Sequence, residues 1–205
     1  MAINLTVNAS VVDISSDNPK PGDSFLIDTN VWYWMTYSRA SQCGARPYQV
    51  SSYPTYTAKA LQTNSKIFQS GFSIAELSHI IEKAEREIYN ATNTPVGTKE
   101  FRHNFPAERS NVCAEIDSAC QQVLSLADPL ESAVNNDLSN AALKRLTSNI
   151  VDGYDLFILE SMTTQGITQV ITDDGDFATV PGITVFTANR NVLAAAKSQG
   201  KLIVR

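Results

Sequence analysis

The sequence predicts a three-layer α/β/α sandwich around a mostly parallel central sheet, with an expanded helical middle segment. Three observations carry this expectation. Short apolar strands at 25–27, 167–171 and 183–187 are separated by stretches of helical spacing, the alternation that a parallel sheet requires. Ile74, Leu77, Ile80, Ile81, Ala84 and Ile88 recur at three- and four-residue steps and mark one buried helical stripe. The chain has 205 residues, 43% hydrophobic and 18% charged, which suits one domain with a sizeable core.

Residues 3–14 alternate apolar and polar, as a strand does. Residues 15–24 hold two prolines and a glycine and read as a connector. These first 24 residues are taken as part of the same domain as 25–205. The strand Phe25-Leu26-Ile27 follows, with Asp28 at its carboxyl end. Residues 30–37 begin a helix or loop rich in aromatics, and 38–54 read as loop. From 55 to 90 the pattern is helical, broken near Ser70–Gly71, with Glu82, Lys83 and Glu85 facing outward. Residues 91–107 look like a long loop, and 108–127 and 131–147 like two helices parted by Asp128-Pro129. A helix at 152–165, strands at 167–171 and 183–187 around a loop, a helix at 189–198 and a final strand or tail complete the chain.

No apolar run approaches the roughly 18–20 residues of a membrane span. The first twenty residues lack a basic start followed by an apolar block, so no signal peptide is expected. Cys43, Cys113 and Cys120 include no CxxC pair and form no disulfide framework, which points to a reducing cytoplasm. The net charge of -5 neither supports nor excludes a nucleic-acid partner, because carboxylates that hold cations lose their charge when loaded.

The candidate site residues are acidic. Asp28 follows a strand, where ligands bind in open parallel sheets, although an aspartate before a helix also suits a cap. Thr172-Asp173-Asp174-Gly175-Asp176 repeats the arrangement after the strand at 167–171. Three carboxylates within four residues repel one another; a cation would relieve them, and so would a solvated turn. Asp155 lies in the first turn of a helix, favourable for the dipole, and could also face the strand ends. Asp152 is expected to be the cap of that helix. Glu76 stands at the margin of the apolar stripe and by itself would pass for a surface residue.

The succession IDTNVW (27–32), SIAELSHII (73–81), DGYDLFILESMTTQGITQVITDDGDF (152–177) and GITVFT (182–187) resembles the PIN-domain family of VapC-like metal-dependent ribonucleases. The resemblance covers both ends of the chain but little of 38–70 or 91–148. It implies catalytic and metal-holding roles for Asp28, Glu76, Asp155 and Asp174, with Asp176 a further metal ligand and Asn30 and Thr172 auxiliary. It also implies Mg²⁺ or Mn²⁺ as cofactor, RNA as substrate, and, at family level, an antitoxin or other protein partner and a homodimer. Oxygen ligands suit both ions. Length departs from the smaller family members, which puts a toxin role in doubt.

Substrate contacts could come from Lys99, Arg102, Arg109, Lys144 and Arg145, or from stacking on Tyr37, Tyr48 or Tyr53. Two other functions compete. A binding module with weak or no turnover is motivated by the aromatic run Trp32–Trp34 and the segment 38–54. A phosphatase with an aspartyl nucleophile would also place Asp28 after a strand, but the aspartate expected two residues on is Asn30. No GxGxxG follows any strand, which sets dinucleotide binding aside.

Overall fold

The computed structural model describes residues 4–151 and 153–205. In chain order the elements are β1 (Ser10–Asp13), β2 (Ser24–Ile27), α1 (Thr29–Thr36), α2 (Gln49–Gln62), β3 (Lys66–Ser70), α3 (Gly71–Thr92), α4 (Thr98–Asn104), α5 (Pro106–Leu126) and β4 (Asp128–Leu130). Then come α6 (Asn136–Leu146), α7 (Gly153–Thr164), β5 (Gln169–Ile171), β6 (Thr184–Thr187), α8 (Arg190–Ser198) and β7 (Leu202–Ile203). The strands form one sheet in the order β4-β3-β2-β5-β6-β1-β7, and every pairing is parallel.

Strand alternation divides the core into two layers. Phe25, Ile27, Ile67, Ile171, Phe186 and Val12 face one side, where they meet α1, α2, α3 and α5. Leu26, Val170, Val185, Val11 and Leu130 face the other, under α6, α7 and α8. Residues one apart on a strand point to opposite faces. The fold is thus the three-layer α/β/α sandwich expected. Among the described residues no helix is long and apolar enough to cross a membrane.

The sheet order sets the site. From β2 the chain moves outward one way, through β3 to β4; it then returns beside β2 with β5 and moves the other way to β6. Ligands bind at such a reversal, outside the carboxyl ends of the strands.

Several local expectations fail for tertiary reasons. The strand expected at 3–14 is four residues long. Over the stretch before it the amides of Asn8 and Ala9 bond the Ala178 carbonyl instead of a neighbouring strand, while Val7 and Ala9 still bury their side chains. Ile3 lies outside the described residues.

The break near Ser70–Gly71 is the end of β3. Asn64, in the left-handed region at φ 58°, stops α2, and Ile67 and Phe68 then pack on opposite layers. The loop expected at 91–107 contains α4, whose buried Phe101 meets the rings of Tyr89 and Phe105. The segment 38–54 holds a 3-10 turn and the start of α2. Most of its aromatic neighbours are core: Trp32, Tyr33, Tyr37 and Tyr53 are buried, while Trp34, packed on Tyr53, and Tyr48 are half-buried, which reduces the aromatic surface that motivated a binding module.

Glu82 and Glu85 do not face outward; both are buried. Glu82 accepts from Arg102 of α4 and from Arg109 of α5, the latter at 2.9 Å. Glu85 pairs with Arg39 and accepts the Tyr37 hydroxyl at 2.6 Å. A third buried ion group forms around Arg205. Arg205 bonds Asp17 at 2.7 Å and Asp23 at 2.8 Å, and its guanidinium lies 4.5 Å over the Phe186 ring.

Candidate functional site

The β2–β5 register pairs Ile27 with Ile171, so the next residues, Asp28 and Thr172, emerge side by side. The Asp28 amide still bonds the Ile171 carbonyl at 3.1 Å, extending the ladder to the site. Asp28 is only 5% exposed. Its Oδ1 accepts the Thr29 amide at 2.6 Å and so caps α1. Its Oδ2 accepts Asn30 Nδ2 at 2.6 Å and the Thr172 hydroxyl at 2.5 Å. The cap role and the site role of Asp28 therefore coexist. Thr172 Oγ1 in turn accepts the Asp174 amide at 2.8 Å, linking the two strand ends through one hydroxyl.

Burial pushes the Asp28 carboxyl up to about 7, opposed by the Thr172 hydrogen bond and reinforced by the charges of Asp174 and Glu76. That repulsion brings Glu76, from α3, into the same group. Phe72 opens α3 and packs against α7, with its ring centroid 6.0 Å from Tyr154 and 5.3 Å from Phe157. Glu76 is four residues on from Phe72, hence on the same helix face, one turn along. Asp155 stands in the first turn of α7, next in sequence to Tyr154, and is half-buried. Asp176 is exposed, and its amide bonds Asp174 Oδ1 at 2.9 Å. Asp152, expected as a cap, lies outside the described residues. Among the described residues no three acidic, histidine or cysteine side chains stand close enough as they are to enclose an ion.

Asp173, to which the resemblance assigns no role, is the most heavily bonded of the three neighbouring aspartates in the hydrogen bonds described. Its carboxylate accepts the Tyr53 hydroxyl at 2.6 Å, the Tyr48 hydroxyl at 3.0 Å and Gln49 Nε2 at 2.8 Å. Its carbonyl accepts Asn189 Nδ2 at 2.7 Å. Burial, then the Asp173 charge, raises the titration of both tyrosines. The start of α2 and the start of α8 are thereby fastened to the loop that carries Asp174.

Most of the suggested substrate residues are engaged elsewhere. Arg102 and Arg109 hold Glu82, and Arg145 holds Glu160 at 2.8 Å. Tyr37 and Tyr53 are buried, and Tyr48 bonds Asp173. Lys99 and Lys144 are exposed.

No protein-family model matches this chain, and no curated protein does. Among solved structures, the chain is similar to the VapBC2 complex from Rickettsia felis bound to a DNA fragment from its promoter. The identity is 12%, the TM-score is 0.47, and the match covers 80% of this chain and 97% of that one. A likeness this distant says nothing about what the chain acts on.

Proposed function

We propose that this chain is a divalent-metal-dependent endoribonuclease that hydrolyses RNA phosphodiester bonds at the carboxyl ends of β2 and β5. Asp28, Glu76, Asp155 and Asp174 would hold Mg²⁺ or Mn²⁺, with Asp176 auxiliary. The observation that carries the reading is Asp28, a buried carboxylate at the sheet reversal, destabilised as an anion by two further carboxylates. Natural sequences seldom retain such a group without a counter-charge. The donor set fits a hard cation: the four acidic side chains would offer carboxylate oxygens, and the buried Thr29 hydroxyl, next in the chain to Asp28, has no protein partner. The order of the acidic motifs, which resembles the PIN family, supports the same reading.

When bound, such an ion supplies Lewis acidity for phosphodiester hydrolysis and neutralises charge on the phosphate. The protein's own part is positioning. Thr172 and Asn30 hold the Asp28 carboxylate in one orientation, and the Thr172 hydroxyl ties it to the main chain of Asp174. The test is incubation of mixed RNA with the protein in Mn²⁺ and in EDTA, alongside Asp28→Asn. We expect cleavage in Mn²⁺ only, reduced at least a hundredfold by the substitution. Cleavage indifferent to both EDTA and the substitution overturns the reading.

A further inference from the structure

A chain of net charge -5 with carboxylates at its site must meet a polyanion with cations placed locally. Its eight arginines show where they are. Arg39, Arg102, Arg109, Arg145 and Arg205 are held in ion pairs with carboxylates. Arg86 donates to the Val96 carbonyl. The two left, Arg46 and Arg190, are exposed and have no carboxylate partner among the described residues.

Both are fastened to the acidic loop. The Gln49 side chain accepts the Arg46 amide at 2.7 Å through Oε1 and donates to Asp173 at 2.8 Å through Nε2. One amide group thus joins the Arg46 main chain to the Asp173 carboxylate. Tyr48, two residues on, bonds the same carboxylate. Arg190 follows Asn189, whose side chain donates to the Asp173 carbonyl. The main chains of both arginines are therefore tied to Asp173, one residue before Asp174, and the Arg46 side chain bonds Tyr48, which in turn bonds the Asp173 carboxylate.

We infer that Arg46 and Arg190 form a phosphate clamp for the RNA strand entering this site, with Asp173 as the residue that positions them. The inference rests on the nuclease reading for its substrate class. Arginine suits the task because its planar fork binds phosphate oxygens in pairs. The Asp173 carboxylate already accepts two hydroxyls and one side-chain amide, which leaves it fewer lone pairs to offer the guanidinium groups.

The test is fluorescence anisotropy with a labelled twelve-nucleotide single-stranded RNA, titrated with salt in Ca²⁺ to slow turnover. The proteins are wild type, Arg46→Ala/Arg190→Ala, Arg46→Lys/Arg190→Lys and a charge control, Lys59→Ala/Lys83→Ala. Thermal melts confirm that each folds. We expect the arginine-to-alanine pair to bind at least tenfold more weakly, with the salt slope reduced by about 1.4 for two lost single-strand contacts. The lysine pair should recover much of the slope. Wild-type binding by the alanine pair, an equal loss in the control, or no binding by the wild type overturns the clamp. Binding through these arginines without metal-dependent cleavage would instead leave the clamp and remove the nuclease reading.

Discussion

Asp28 shows how one residue serves two requirements. Its first oxygen ends a helix and its second is tied to the neighbouring strand, so the carboxylate is fixed before any ligand arrives. The cost appears in its titration. An aspartate raised to about 7 by burial and by Asp174 and Glu76 favours folding fully only below its ordinary value near 3.8. That contribution is lost as the pH rises through 7. Asp28→Asn should therefore stabilise the EDTA-treated protein at pH 8, on the order of 2 kcal/mol after the altered Thr172 bond. It should do little at pH 4; chemical denaturation at the two pH values measures the difference. An equal effect at both would contradict the account. Asp28 and Thr172 were legible in the sequence because each ends an apolar strand. Asp173 was not: three adjacent aspartates look alike, and its partner Tyr48 lies 125 residues away.

Among the elements, α3 links the site to the middle of the chain. Its first turn packs on α7 through Phe72, its next turn offers Glu76, and two turns on Glu82 binds α4 and α5. The Glu82 carboxyl is held below its ordinary value, chiefly by the Arg102 hydrogen bond. Its stabilising share is present above about 4.5 and fades as the pH falls through the lowered value. Glu82→Gln should destabilise the protein by about 2 kcal/mol at pH 7, with a gap that narrows below pH 4.5 in urea titrations. Long periodic helices such as α3 were legible from the sequence. Helix α4 and strand β3 were not, because their short runs are held by what they touch: Phe101 by two rings, β3 by strands on both sides. Glu82 and Glu85 were misread because helical spacing locates an apolar stripe, not an arginine arriving from another helix.

For the molecule as a whole, Arg205 joins the 15–24 connector to the sheet through Asp17, Asp23 and Phe186. Removing it leaves two sequestered carboxylates with neutral hydrogen-bond donors and no counter-charge, the costly way to break a buried ion group. Arg205→Ala should lower stability by about 3 kcal/mol and speed hydrogen exchange in residues 15–24 more than in α6. A uniform change across the chain would refute that placement. The sheet order also governs how the protein is made. Strand β1 is synthesised well before both of its neighbours, β6 and β7, with Ser10 opposite Thr184. Until they arrive β1 has no hydrogen-bonding partner in the sheet, whereas β2, β3 and β4 can already assemble. Pairing over such a span is slow. In pulse-labelled refolding, β2 and β3 should therefore gain protection ahead of β1, whose unpaired edge stays open to other chains for longest.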